Sequence, residues 1–125
     1  MRALLLVPAL ALAACDGVSD DQPPTFGDPY TVLVTDESPS VTDDGQLAVT
    51  VEYAGGCEDH EFRLRSRAAG DATEVWWVHD AKGDTCEAIQ TATFRARLPG
   101  TAADAERVTL LTPAGEVPLQ IPARR

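Results

Sequence analysis

From residue 30 onward, apolar and polar side chains alternate with a period of two, the signature of strands that have one face covered. Residues 47–53 set Leu47, Val49, Val51 and Tyr53 against Ala48, Thr50 and Glu52. Residues 61–67 alternate Phe62 and Leu64 with Glu61, Arg63, Arg65 and Arg67, and 91–98 oppose Ala92, Phe94, Ala96 and Leu98 to Thr91, Thr93, Arg95 and Arg97. The β-branched run 30–35, the doubly apolar run 74–79, and the runs 107–112 and 116–121 complete a set of seven predicted strands, separated by Asp, Gly, Ser and Pro clusters. Apolar residues on both faces of 74–79 predict a central or covered strand. Pro118 and Pro122 on the polar face of the last run predict an edge strand. Only 101–106 is compatible with a helical turn. The pattern therefore predicts an all-β fold, a two-sheet sandwich of immunoglobulin-like character, with a small barrel as the alternative.

The first residues break this pattern. Arg2 is followed by a twelve-residue run rich in Leu and Ala that ends in small residues before Cys15. Such a run is too short to span a bilayer, which takes roughly 20 apolar residues, and has the layout of a secretory signal. The residues "LAAC" ending at Cys15 resemble the lipobox of bacterial lipoproteins. That resemblance implies cleavage before Cys15, acylation of Cys15 and attachment to a membrane. The following stretch is acidic, holds Pro23 and Pro24, and lacks hydrophobic periodicity, as expected of a disordered tether. The chain thus divides into a signal segment over 1–14, a lipidated cysteine and tether over 15–28, and one β-domain over 29–125.

Composition then narrows the partners. The formal net charge is −10 at pH 7, and loss of Arg2 with the leader would make it more negative. Such a surface repels nucleic acid and anionic headgroups. Five basic residues nevertheless lie on the polar faces of two predicted strands: Arg63, Arg65, Arg67, Arg95 and Arg97. If those faces adjoin, they form a docking stripe for an anionic partner, an acidic polysaccharide or a protein of the cell envelope. The competing reading is pairing with acidic residues on neighbouring strands.

The three cysteines are Cys15, Cys57 and Cys86. With Cys15 taking the lipid, one pair remains in an oxidising compartment. Antiparallel order would bring the end of the second strand, the start of the third and the end of the fourth to one end of the domain. Cys57, His60, His79, Asp80, Asp84 and Cys86 then converge. A Cys57–Cys86 disulfide is the preferred reading. Zinc held by Cys57, His60, His79 and Cys86 is the rival, although these spacings are not a strong zinc signature. Calcium at Asp80, Asp84 and Glu87 is a third, weakened by Lys82 where an oxygen ligand would be wanted. The histidines are expected to cap loop backbone or pair with carboxylates, and "DAKGD" to be a polar turn.

The segments "GGCEDHEF" and "VHDAKGDTCE" are similar to a pattern in small uncharacterised bacterial lipoproteins, including the NigD-like group. That resemblance, over about residues 47–98, implies an exported β-domain with Cys57 paired to Cys86 and carries over no catalytic residue. No nucleophile elbow, phosphate-cradling glycine loop or His-rich metal motif occurs. The expectation is a non-enzymatic binding or structural module of the envelope, needing no cofactor. The alternative is a metal-dependent factor or enzyme using the His60/His79 end.

Overall fold

The computed structural model describes residues 24–103, 105 and 107–122; the predicted signal segment, Cys15 and most of the predicted tether lie outside them. Two sheets face each other. The first holds β1 (Thr31–Leu33), β2 (Ser40–Val41), β3 (Gln46–Gly55) and β6 (Ala88–Arg97). The second has the order β4 (Glu61–Ala69), β5 (Ala72–Asp80), β7 (Arg107–Thr112), β8 (Gly115–Leu119). A single turn of helix, α1 (Gly100–Ala103), links β6 to β7. The fold is the expected all-β sandwich, and its open edges distinguish it from a closed barrel.

Side-chain alternation explains the layering. Leu47, Val49 and Val51 of β3 meet Val75 and Trp77 of β5 and Val108 and Leu110 of β7 in one core. β5 lies between β4 and β7, a central strand as expected. Trp77 enters the core, while Trp76 on the outer face carries the Arg67 guanidinium 5.7 Å from its ring centroid. Pro118 sits in β8, an edge strand, as expected from its missing N–H.

Three features depart from the sequence-based expectation. β1 and β2 pair with the same edge of β3, at Thr50–Glu52 and Leu47–Ala48, so they are two pieces of one edge strand. Residues 34–39 loop out between them, and Ser38 Oγ accepts the Thr50 N–H at 3.1 Å. β5 and β7 run parallel, unlike the antiparallel pairing of an immunoglobulin domain.

Third, the domain begins before residue 29. His79 N–H donates to the Phe26 carbonyl at 2.8 Å, Asp28 N–H to the His79 carbonyl at 2.9 Å, and Ala81 N–H to Asp28 Oδ2 at 2.7 Å. Residues 26–28, assigned to the tether by their composition, therefore extend the second sheet along the upper part of β5. The chain then crosses to the first sheet as β1, stitching the two layers together on one side.

Tyr30 marks the crossing. β7 pairs with β5 only as far as Trp76, and residues 26–28 take over at His79. The Trp77 carbonyl faces the gap between them, and the Tyr30 hydroxyl donates to it at 2.6 Å. Tyr30 is only 6% exposed, and its burial pushes the phenol well above the usual tyrosine range. Tyr30→Phe should leave that carbonyl unsatisfied and cost about 1–2 kcal/mol. Urea unfolding should show a lower midpoint with an unchanged slope; an unchanged midpoint would contradict this role.

Candidate functional site

The end of the sandwich where β3 leaves, β4 begins and β5 ends gathers most of the polar residues singled out from the sequence. β3 and β4 lie in facing sheets rather than side by side, but the crossover between them occurs at this end, so the segments still meet. Cys57 and Cys86 form a disulfide with Cα atoms 5.8 Å apart. The ligand atoms of Cys57, Asp84 and Cys86 lie within 4.8 Å of one another. With both sulfurs in the bond, the thiolate–imidazole set considered for zinc is unavailable.

Asp84 organises the cluster. Its Oδ2 accepts the N–H groups of Gly56, Cys57 and Glu58 at 3.1, 3.2 and 3.1 Å, and lies 2.8 Å from His60 Nε2. Its Oδ1 accepts the Cys86 N–H at 2.9 Å. Three consecutive amides converging on one oxygen form an anion-binding nest, filled here by the chain's own carboxylate. The Asp84 and His60 side chains are 0% and 1% exposed. The His60 contact, followed by the Cys86 and other backbone N–H groups, holds the Asp84 carboxyl well below the usual carboxylate range.

The paired glycines before Cys57 are explained by this crowding. A Cβ on Gly55 would lie 2.7 Å from His60 Nε2 and 3.0 Å from Asp84 Oδ2. Gly56 has φ of 116°, outside the range favoured by residues with a side chain.

A second hydrogen bond extends the network inward. His60 Nδ1 lies 2.7 Å from His79 Nε2, and His79 Nδ1 lies 3.1 and 3.2 Å from the Asp28 and Pro29 carbonyls. Carbonyls only accept, so His79 carries a hydrogen on Nδ1. His60 Nε2 donates to the Asp84 carboxylate, and its Nδ1 faces His79 Nε2. His79 is 3% exposed, stacked on Phe62 at 4.2 Å with rings 9° apart, and bordered by Tyr30 and Tyr53. Burial is the main cause holding His79 below the usual histidine range, with the charge of His60 adding to it against the Asp28 carbonyl.

Asp80 stands apart from this group. It is exposed on the outer face, accepts the Lys82 N–H at 2.9 Å and pairs with Lys82 Nζ at 3.4 Å. Lys82 and Gly83 have φ of 55° and 74°, and the Asp84 N–H bonds the Ala81 carbonyl at 3.0 Å, so "DAKGD" is a tight turn. Asp80 and Asp84 answer to different partners, and no calcium cage joins them.

The arginines do not form one face. Arg63, Arg65 and Arg67 of β4 point outward from the second sheet, whereas Arg95 and Arg97 of β6 point outward from the first. The chain changes sheets between β5 and β6, so the two basic faces look away from each other. Arg67 bonds Glu74 of the neighbouring β5 at 2.9 Å, matching the balancing role, whereas Arg63 bonds Glu61 of its own strand at 2.6 Å. Arg65 and Arg95 have no ion pair, and Arg97 reaches the Asp44 carbonyl at 3.4 Å, among the described residues.

Three measurements test this arrangement. Reduction should remove the constraint on a loop of 29 residues' separation, lowering the melting temperature by about 15 °C on the chain-entropy model. A chelator should change nothing, and an equal effect of chelation would favour a metal. Asp84→Asn should lower the melting temperature several times more than Glu61→Gln, since Glu61 serves only exposed ion pairs; equal effects would remove Asp84 from its central place. The folded form of His79 is neutral, so its contribution is full above the ordinary pKa of about 6.5 and is lost as pH falls below it. Asp84 stays ionised there, so melting at pH 5 should be lower than at pH 7, and a flat profile would contradict the network. Comparison with protein-family models, with curated proteins and with solved structures found no match, so the functional argument rests on this geometry.

Proposed function

We propose that the protein is a lipid-anchored module of the bacterial cell envelope, exported by its leader, attached to a membrane through Cys15 and acting by binding rather than catalysis. The observation that carries this reading is the Cys57–Cys86 disulfide. Such bonds persist in oxidising compartments and are rare in the cytosol. It agrees with a leader that resembles a lipoprotein signal and with a third cysteine, Cys15, at the lipobox position. A lipid on Cys15 and a tether ending near Phe26 would hold the sandwich close to the membrane surface.

The histidine cluster supports a structural rather than catalytic role. A general base needs a nitrogen free to take a proton from a substrate. His79 is buried with both ring nitrogens engaged, and both His60 nitrogens are occupied by other side chains. The strongly acidic composition opposes nucleic acid as a partner.

Mass spectrometry of the protein from bacterial membranes tests the reading. The expected N-terminus is an acylated Cys15, with Cys15→Ser leaving an unprocessed precursor or a domain released from the membrane. An unmodified N-terminus at any other residue would refute lipid anchoring.

A further inference from the structure

The two sides of the sandwich are closed unequally. On one side, residues 26–33 run from β5 in the second sheet to β3 in the first. On the other side lie β4 and β6, each with a neighbour along one edge only among the described residues. Phe62 of β4 and Phe94 of β6 meet across the sheets with ring centroids 4.4 Å apart, so the two unpaired edges flank one seam. The inward-facing residues along it, Phe62, Leu64, Phe94 and Ala96, are only partly buried, whereas Val49 and Val75 on the central strands are fully buried.

We propose that this seam is a docking site for an extended acidic segment of another envelope protein, which adds to the first sheet as a strand beside β6. This deepens the proposed binding role and rests on it. An unpaired strand presents a row of N–H and C=O groups that an added strand satisfies, while alternate pockets choose its side chains. Along β6 the two faces make different demands. Ala92, Phe94 and Ala96 face inward and suit apolar residues. Outward, Thr91 and Thr93 are uncharged, Arg95 is exposed with no ion pair among the described residues, and Arg97 is exposed beside Asp44, whose carbonyl it bonds and whose carboxylate it attracts. Opposite charges on adjacent strands attract, so the residues beside these arginines should be Asp or Glu.

The other end of β6 asks for something else. A depression of about 580 Å³ opens there, lined by Tyr53, His60, Gln90 and Phe94 and rimmed by Glu58 and Asp59. Those carboxylates disfavour an acidic residue, while Tyr53 and Phe94 offer ring contacts within a mostly polar lining. Ile89, 66% exposed, extends the apolar area on the outer face. The complementary strand is therefore polarised, acidic at the Arg97 end and aromatic at the Ile89 end.

The test uses the full-length protein in detergent and the synthetic peptide Glu-Val-Glu-Val-Thr-Val-Thr-Phe, which in antiparallel pairing sets its acids beside the arginines and its ring at the depression. Saturable binding is expected, with hydrogen-exchange protection of β6 amides. Arg95→Glu with Arg97→Glu should weaken it about tenfold. The matched reversal Arg63→Glu with Arg65→Glu on the other sheet should not. Replacing each Glu of the peptide by Lys should abolish binding, which decides the matter even if the double reversal fails to fold. Absence of saturable binding, equal loss from both double reversals, or protection mapped to another edge would overturn the proposal. So would a concentration-dependent dimer that protects β6 without peptide, since a second copy would then be the occupant. None of these outcomes alters the mass of Cys15, so docking and anchoring fail separately.

Discussion

The Asp84 carboxylate is the constraint on which the rest of one end of the domain depends. A buried carboxylate is tolerated only when donors surround it, and Asp84 has four backbone N–H groups and His60. Collecting three of them from consecutive residues forces the turn after β3 into a nest. This same turn sets Cys57 beside Cys86, so the disulfide closes over a geometry the carboxylate also requires. It orients His60, whose Nδ1 meets His79 Nε2, while the Asp28 and Pro29 carbonyls set the hydrogen of His79 on Nδ1. His79 in turn holds the carbonyls of Asp28 and Pro29, where the chain enters the sandwich. A path of hydrogen bonds thus runs from the surface disulfide to the crossing between the sheets.

Much of this organisation was legible in the alternation of side chains. The period of two identified every long strand, the central character of 74–79 and the edge character of the last strand. Periodicity reports which way a side chain faces but not which strand lies beside it. It could not distinguish parallel from antiparallel pairing of β5 with β7, nor reveal that Arg63 and Arg95 belong to different sheets. Strand β2 escaped notice because two residues are too few for any period. Composition places Phe26 in the tether, since Pro, Gly and Asp surround it, although its backbone completes the ladder of β5.

The site was legible in its members and not in its hierarchy. Cys57, His60, His79 and Cys86 stand out through residue type and spacing. Asp84 does so only as one acid in an acidic turn, grouped with Asp80. No composition argument separates two carboxylates four residues apart when one meets a nest of amides and the other a lysine. The signal that could have separated them is the "GGC" segment, since adjacent glycines before a cysteine mark backbone built for close approach.

The braced end and the open seam adjoin at His60 and Phe94, so rigidity at one supports the shape of the other. The network's central claim is a specific distribution of hydrogens, and nitrogen-15 NMR of the histidine rings at neutral pH measures it directly. His79 should show hydrogen on Nδ1 and His60 hydrogen on Nε2, with a coupling across the His60–His79 bond. A His79 protonated on Nε2 and bare at Nδ1, or two rings with no coupling between them, would contradict the account.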